Sequence, residues 1–412
     1  MLRILHTADW HLGQSFHGYD RDYEHAQFLD WLLQTLAERH TDVLLIAGDV
    51  FDSVNPSATA QRRFYDFLAR AHTALPALQI VATAGNHDAG ARLEAPADLL
   101  ESLGITVVGT VSRDEAGAIQ YPRFLIPLKA ANGEVAAIAI AVPFLRPADV
   151  PEMSEAADFY VDGIRELYRC ATEHAQREHP HAALIALGHC HMQDAAESRD
   201  SERRIVIGGA EALRADTFPA HLAYVALGHL HRPQELDGGR IRYCGSPIPL
   251  SFSEKDYPHR VVEIILDAKV SAASVLVPKT STLQRLPANK AAPIAEVLQL
   301  LADAVFDADL PPEAHPFLEV RVLDDGPDPT RRRRIEEALA GKAVRLASIK
   351  LEPPPRSETS AQANAEAPTL ADLSALDPEE IALSAHRERY GTEPEPSVLA
   401  ALREILAAAP AR

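Results

Sequence analysis

The chain has 412 residues, of which 47% are hydrophobic, and a formal net charge of −19 at pH 7. This length exceeds one ordinary domain, and the hydrophobic content suffices for a large core. No apolar run reaches the length of a membrane span, no signal-peptide pattern precedes the first strand, and the three cysteines lack paired spacing, so we expect a cytoplasmic protein with reduced thiols. The acidic balance argues against a free-standing nucleic-acid binder.

Residues 1–265 alternate short apolar runs with helical patterns. The apolar runs include RILHTA, DVLLIAGD, QIVATAG, AAIAIAV, ALIALGH and YVALGH. Between them, apolar residues such as Phe64, Phe67 and Leu68 recur at the spacing of one helical face. Strands that alternate with amphipathic helices predict an α/β fold, with a sheet covered by helices on both faces.

The rest of the chain divides into three parts. Residues 270–352 combine a helical pattern, the strand FLEVRVLD, a second helix after Asp328-Pro329 and the strand VRLASIKL, which together predict a small α/β domain. Residues 353–368 are rich in proline, alanine and serine and predict a flexible linker. Residues 369–412 predict a helical tail with two short amphipathic helices.

Five apolar runs in the first 265 residues end in polar side chains. These ends carry Asp9 and His11, Asp49 and Asp52, Asn86 with His87 and Asp88, His189 and His191, and His229 and His231. Because ligands bind at the carboxyl ends of strands in open α/β sheets, five such ends would converge on one pocket. Residues two apart in an extended chain point to the same side, so the pairs Asp9/His11 and His229/His231 can each offer two ligands in one direction.

The donor types at these strand ends favour divalent metal ions. Carboxylate, imidazole and amide oxygen together suit manganese, iron or zinc, and the lack of thiolates argues against a purely structural zinc site. Seven candidate ligands exceed the needs of one metal ion: Asp9, His11, Asp49, Asn86, His189, His229 and His231. Two metal ions that share one bridging carboxylate would use all seven.

The order of these motifs resembles the calcineurin-like metallophosphoesterase superfamily. The motifs are Asp9-x-His11, Gly48-Asp49-x-x-Asp52, Gly85-Asn86-His87-Asp88, Gly188-His189 and Gly228-His229-x-His231. Residues 1 to about 260 further resemble the SbcD family of nuclease subunits through HTADWHLGQSFHGYDRDYEH, LLIAGDVFDS, YVALGHLHRPQ and RYCGSPIPLSFSE. The resemblance implies a two-sheet sandwich flanked by helices over residues 1–265, a capping domain over 270–352 and a tail that docks on an ATPase partner.

The resemblance also implies a role for each motif residue. The first metal ion takes Asp9, His11 and His231, the second takes Asn86, His189 and His229, and Asp49 bridges the two ions, with Mn²⁺ as the expected metal. His87 binds no metal; it contacts the scissile phosphate and assists the leaving group.

Three neighbouring residues have two interpretations each. His191 lies beside His189 and either supports a ligand from behind or has no part in the site. Asp52 and Asp88 either accept hydrogen bonds from ligand histidines or cap the helix or turn that follows them.

The implied activity is that of a metal-dependent DNA nuclease subunit. It would combine a double-strand 3′–5′ exonuclease with a single-strand and hairpin endonuclease, acting with an SbcC-type ATPase in DNA end processing, repair and recombination. The resemblance also implies a homodimer within a heterotetramer. The alternative is a small-molecule metallophosphodiesterase, but the additional domain and tail, about 150 residues, favour an assembly subunit.

The acidic chain leaves only local basic clusters as candidate DNA contacts. These candidates are Arg62, Arg63, Arg203 and Arg204. The run Arg331–Arg334 is either a further contact or a solvated helix face. We expect weak DNA binding by the isolated chain, with much of the affinity supplied by the ATPase partner.

Overall fold

The computed structural model describes residues 1–152, 158–198, 212–353 and 378–408. The described chain forms two compact units. The first consists of Met1–Leu283 with Asp309–Pro316, and the second of Gln284–Ala308 with the chain from Phe317 onward. Within the described ranges, no helix is long and apolar enough to cross a membrane.

The first unit contains two six-stranded sheets. A separate hairpin joins β2 (Ser15–Phe16) to β3 (Tyr19–Asp20). The strands of the first sheet are β1 (Leu2–Thr7), β4 (Val43–Ala47), β5 (Gln79–Thr83), β6 (Ile105–Val108), β13 (Arg260–Leu266) and β14 (Val270–Leu276). Their spatial order is β14-β13-β1-β4-β5-β6. Strands β1, β4, β5 and β6 run parallel, whereas β13 and β14 are antiparallel to their neighbours.

The second sheet has its parallel strands at the centre and antiparallel strands at both edges. Its strands are β7 (Leu125–Lys129), β8 (Val135–Ala141), β9 (Ala183–His189), β10 (Tyr224–Gly228), β11 (Gln234–Leu236) and β12 (Ile241–Tyr243). The order is β11-β12-β10-β9-β8-β7, and β8, β9, β10 and β12 are parallel. The parallel strands of each sheet therefore bring their carboxyl ends to one edge.

Five helices accompany these sheets. They are α1 (Asp22–Glu38), α2 (Ala58–Ala74), the short α3 (Gly90–Glu94) and α4 (Ala97–Glu101), and α5 (Phe159–Glu178). Two of the longer helices begin where the sequence offers a cap: the Ser57 hydroxyl accepts the Ala60 N–H at the start of α2, and Asp158 accepts two N–H groups at the start of α5.

The side chains of β4 show how the layers form. Successive residues of a strand face opposite sides. Val43 and Leu45 lie in the core shared with the second sheet, whereas Leu44 and Ile46 lie in the core that α1 and α2 complete. Helix α5 adds Leu167 to the core of the second sheet. The result is a two-sheet sandwich flanked by helices, which confirms the fold class expected from the resemblance.

One expectation from strand and helix alternation alone is corrected by this arrangement. That pattern predicted one sheet covered by helices on both faces. Instead the strands divide between two sheets that share a core. The physical reason is that the helices supply apolar faces to only part of each sheet, so the remaining faces are buried against each other.

The first unit also reaches further along the chain than residue 265. Strand β14 pairs with β13 over seven residues, from Arg260 with Leu276 to Leu266 with Val270. The boundary of the compact unit therefore lies near Leu283.

The second unit contains a small three-stranded sheet and four helices among the described residues. These elements are β15 (Leu283–Leu286), α6 (Ile294–Asp303), β16 (Phe317–Leu323), α7 (Arg331–Leu339), β17 (Arg345–Glu352), α8 (Pro378–Tyr390) and α9 (Pro396–Ala408). The core includes Val297, Leu301, Val320 and Ile335. An ion pair of 2.6 Å joins Arg403 of α9 to Glu379 of α8. The predicted linker after residue 353 lies outside the described residues.

Candidate active site

The five polar strand ends meet at one edge of the sandwich. In the first sheet, the turns after β1, β4 and β5 carry Asp9, Asp49 and Asn86; in the second sheet, β9 ends at His189 and β10 leads into His229. Their side chains lie within hydrogen-bonding distance across the two sheets, because Asn86 contacts both histidines. The structure therefore brings together the strand ends that the sequence predicted to converge.

Four of the candidate ligands have a positive backbone φ. The angle is 55° at Asp9, 47° at His11, 49° at Asp49 and 101° at His229. Residues with a Cβ rarely adopt this region, and each such conformation costs free energy. Backbone bonds hold two of the turns: the Asp9 N–H donates to the Gly48 carbonyl over 3.0 Å, and the His11 N–H donates to the Asp49 carbonyl over 3.1 Å. The fold maintains an unfavourable backbone where it presents these side chains.

Glycine is required where the two sheets approach most closely. Gly48 has φ of 86°, and an added Cβ would overlap the His189 ring. A Cβ at Gly228 would overlap the Ala47 carbonyl oxygen. The absence of side chains at these two positions lets histidines of the second sheet reach the strand ends of the first sheet.

One set of side chains, which we name the first ligand group, consists of Asp9, His11 and His231. All three are buried, and one donor atom of each lies within 4.8 Å of the others. Asp9 Oδ1 accepts the His229 N–H over 2.9 Å, but Asp9 Oδ2 and His11 Nε2 are buried without a hydrogen-bond partner. Buried polar atoms normally find a partner, so this pair of orphaned atoms fits a bound cation.

The histidines of the first ligand group are oriented by carboxylates. His11 Nδ1 lies 3.1 Å from Asp52 Oδ1, and His231 Nδ1 lies 3.0 Å from Glu254 Oε1. A proton on each Nδ1 satisfies the carboxylate and leaves the lone pair on Nε2, which is the form that binds a metal.

The second ligand group consists of Asn86, His189 and His229. The Asn86 amide oxygen lies 3.0 Å from His189 Nε2 and 2.9 Å from His229 Nδ1. His189 Nδ1 donates to the Ala47 carbonyl over 2.9 Å, so Nε2 is the ring atom that faces Asn86. The donors of this group are neutral oxygen and nitrogen atoms.

Asp49 lies between the two ligand groups. Its Oδ2 atom is 3.6 Å from His11 Nε2 and 3.3 Å from His189 Nε2, and its Oδ1 atom accepts the His87 N–H over 2.8 Å. One carboxylate oxygen is thus close to a ligand atom of each group, and the Cβ that Gly85 lacks would overlap this carboxylate.

The electrostatics of the cluster reflect its burial and charge density. Burial would raise the pKa of Asp49, but His189, His11 and His87 hold it well below its usual range. Burial would lower the pKa of His189, but Asp49 raises it to about 9. The pKa of Asp9 is raised by burial, with His189 opposing the shift, and burial together with His189 lowers the pKa of His229. The buried acids and imidazoles of the cluster therefore shift one another's pKa values.

His87 lies at the edge of the first ligand group. Its Nδ1–H donates to the Asp52 carbonyl over 2.7 Å, and its ring centre is 4.8 Å from that of His11. One donor atom of His87 also lies within 4.8 Å of donor atoms of His11 and Asp52. The ring is half-buried, unlike the fully buried His11.

The three residues with two interpretations take different positions. Asp52 accepts from His11, as described above. The buried Asp88 carboxylate instead accepts the backbone N–H groups of Gly85, Val50 and Phe51, at 2.9, 3.1 and 2.9 Å, which ties the turn after β5 to the turn after β4. Burial and the nearby Asp49 raise the pKa of Asp88 to about 6. His191 Nε2 is 3.4 Å from Glu197, and its ring centre is 6.4 Å from that of His229.

Two of the four candidate DNA contacts lie within the described residues, both on α2. Arg62 is exposed on α2, whereas Arg63 pairs with Asp22 at 2.9 Å. Arg203 and Arg204 lie outside the described residues. The four arginines of residues 331–334 each pair with an acid of the same helix or of the preceding loop. This pairing favours a self-compensated helix face for that run.

Sequence reasoning assigned no role to Glu254, although this residue ends the motif RYCGSPIPLSFSE. It is fully buried beside His231, although 23 positions separate the two residues along the chain. The available signal is an acidic residue directly after the apolar Phe252 and a serine, in a turn rich in proline and serine. That signal is weak without the fold.

Comparisons with known proteins give the family. A family model described as calcineurin-like phosphoesterase matches residues 2–233, and one described as Type 5 capsule protein repressor C-terminal domain matches residues 280–390. A protein of Rhodobacter capsulatus, named as the SbcD subunit of the nuclease SbcCD, is 43% identical over 358 residues, which cover 86% of this chain and 88% of that relative.

Two further relatives carry the same name. The protein from Escherichia coli K12 is 38% identical over 263 residues, covering 61% of this chain and 62% of the relative. The protein from Bacillus subtilis 168 is 37% identical over 283 residues, covering 65% of this chain and 66% of the relative. The chain therefore belongs to the calcineurin-like phosphoesterase family and, within it, to the SbcD family of nuclease subunits.

Proposed function

We propose that this chain is the metal-dependent nuclease subunit of an SbcCD-type complex and that it hydrolyses DNA phosphodiesters with two Mn²⁺ ions. The single observation that carries the two-ion proposal is the position of Asp49 Oδ2, within 3.6 Å of a ligand nitrogen in each group. Asp9, His11 and His231 would hold one ion, and Asn86, His189 and His229 the other. Two divalent ions bound by these residues would activate water and neutralise the charge on phosphate oxygens.

The protein side chains supply the remaining chemistry. Hydrogen bonds to Asp52, Glu254 and the Ala47 carbonyl orient the ligand histidines before substrate arrives. The Asp52 carbonyl fixes the proton of His87 on Nδ1, so Nε2 is the ring atom that would exchange a proton with the departing oxygen.

The test compares the wild-type protein with His87→Ala in the presence of Mn²⁺. The substrates are linear duplex DNA and bis(p-nitrophenyl) phosphate, and metal content is measured on the same samples. We expect unchanged metal content and a loss of DNA hydrolysis of about 10²–10⁴-fold, which is the range for a removed general acid. The loss with the small ester should be smaller, because p-nitrophenolate departs without a proton. His174→Ala is the matched control, because His174 is also a half-buried histidine but lies on α5 and is not a candidate site residue. This variant should behave like the wild-type protein.

The outcomes separate the alternatives. Metal loss in His87→Ala would make His87 a ligand, which its position near His11 and Asp52 permits. Cleavage of the small ester but not of DNA, even after addition of the SbcC-type ATPase, would favour a small-molecule phosphodiesterase.

We further propose that DNA processing requires an SbcC-type ATPase and that the helical tail binds it, in a heterotetramer built on a homodimer in the cytoplasm. The net charge of −19 supports dependence on a partner for DNA affinity. Helices α8 and α9 contact each other and are linked by the Arg403–Glu379 ion pair. Truncation after Pro353 should spare metal binding and abolish co-elution with the ATPase on gel filtration; an intact complex would contradict the assignment of the tail.

A further inference from the structure

Glu254 is the most deeply buried carboxylate beside the first ligand group. It ends a short 3₁₀ turn, Phe252–Glu254, in the loop that follows β12, and its exposed fraction is 0%. A buried carboxylate is costly unless hydrogen bonds and positive charge compensate it. The contacts of the Glu254 carboxylate therefore indicate its role.

The hydrogen bonds of Glu254 connect its loop to a metal-ligand candidate. Oε1 accepts from His231 Nδ1 over 3.0 Å and from the Ser251 hydroxyl over 3.4 Å. Oε2 accepts the Leu250 N–H over 2.8 Å and the Ser246 hydroxyl over 3.4 Å. The carboxylate is thus fixed at both oxygens, so its orientation toward His231 is determined by the loop.

The backbone of the same loop is held against His231. The Ser246 N–H donates to the His231 carbonyl over 3.2 Å. The ring nitrogens of the buried His259 lie 2.8 Å from the Ser246 carbonyl and 3.3 Å from the Glu254 carbonyl. These contacts close a ring of interactions that includes both the main chain and the side chain of His231.

We propose that Glu254 is a positioning residue for the first ligand group: it keeps the proton of His231 on Nδ1 and so directs Nε2 toward the cation. The inference rests on the proposed two-metal function. Asp52 stands behind His11 in the same way, but its side chain is 37% exposed, whereas that of Glu254 is 0% exposed. Because electrostatic interactions are stronger away from water, Glu254 contributes more to cation affinity than Asp52 does.

The experiment measures Mn²⁺ binding to the full-length chain by isothermal titration calorimetry. The variants are Glu254→Gln, His231→Ala and the double variant. The control is Glu319→Gln, a buried carboxylate of the second unit that accepts from Arg285 and Ser348. We expect Glu254→Gln to weaken the binding event that His231→Ala also weakens, by about 10–100-fold, and to leave the other event unchanged.

The double variant tests whether Glu254 affects Mn²⁺ affinity through His231 or independently of it. If Glu254 acts through His231, adding Glu254→Gln to His231→Ala changes the affinity by less than about twofold, whereas independent effects multiply. Circular dichroism without metal monitors folding. If Glu254→Gln does not fold, Glu254→Asp keeps the charge and retracts it by one methylene, and the same loss of affinity is expected.

Two results would overturn the inference: unchanged affinity for both ions in Glu254→Gln, or a full multiplicative loss in the double variant. Both differ from a failure of the proposed function, in which the wild-type chain itself would bind no Mn²⁺.

Discussion

The two ligand groups of the site differ in charge and in the groups that accept hydrogen bonds from their histidines. Asp9 is itself a carboxylate, and Asp52 and Glu254 accept from the two histidines of the first group. In the second group, Asn86 is neutral and the Nδ1 of His189 is held by a backbone carbonyl. Asp49 is the carboxylate that lies close to both groups.

Under the proposal that each ligand group holds one cation, this difference predicts unequal affinities for the two ions. The number of negative charges near a cation sets much of its affinity, and carboxylates behind ligand histidines increase ligand basicity. We therefore expect the first ligand group to bind Mn²⁺ more tightly than the second. The variants below change one group, the other, or the residue between them.

Replacement of the residue between the groups should have the largest effect. Asp49→Ala removes the oxygen close to both His11 and His189, so both binding events should weaken and hydrolysis should fall by more than about 100-fold, beyond the effect of losing a supporting residue. Calorimetry and ester hydrolysis measure the two quantities. A loss confined to one binding event would show that Asp49 serves one ion only.

Removal of a ligand from the neutral group should affect one ion. Asn86→Ala deletes the amide oxygen that contacts His189 and His229, and we expect the weaker binding event to fall by about 100-fold while the tighter event persists. Asn55→Ala is the control, because the Asn55 amide oxygen accepts from the exposed Arg92 side chain and is not a candidate ligand. Loss of the tighter event would reverse the ranking of the two groups.

Replacement of a glycine that packs against His189 of the second ligand group should lower the stability of the fold. Gly48→Ala places a methyl group against the His189 ring at a φ of 86°, so the free energy of unfolding should fall by about 1–3 kcal/mol. Urea unfolding of the metal-free chain measures this. Gly117→Ala is the matched control for positive φ, since its added Cβ meets nothing within 4 Å. Equal losses in both variants would assign the whole effect to φ rather than to the contact with His189.

We expect the smallest loss of Mn²⁺ affinity when the carboxylate that accepts from His11 of the first ligand group is replaced. Asp52→Asn weakens the acceptor of His11 at a partly exposed position, so the tighter binding event should lose about tenfold in affinity. Mn²⁺ titration measures it. A loss larger than that of Glu254→Gln would contradict the argument from burial.

Sequence reasoning was strongest where function depends on short motifs. The glycine and polar residues at the carboxyl ends of β4, β5, β9 and β10 are local signals, and the structure brings the polar side chains together as expected. The division into two sheets was not evident from strand and helix alternation, because that pattern does not say which strands share a sheet. The pairing of β14 with β13 was missed because VSAASVL is mostly exposed and lacks a clear buried face.

Contacts made by loops were the hardest to foresee. Glu254 reaches His231 only because the Pro- and Ser-rich loop folds back on itself, and nothing in the local spacing encodes that return. Asp88 had two interpretations, an acceptor for histidines or a cap of the following turn, and its carboxylate accepts backbone N–H groups of two turns. Both residues depend on tertiary geometry that a sequence pattern does not specify.

The positive φ angles at Asp9, His11, Asp49 and His229 have a consequence for how such a site evolves. At each of these positions glycine would be the conformationally favoured residue, so the retained side chain lowers the stability of the fold. A lineage released from selection for activity would be free to drift toward glycine and gain stability while it lost ligands. The same argument limits transplantation: a designer who copied the motif onto another scaffold would also have to reproduce the paired turns that impose this backbone.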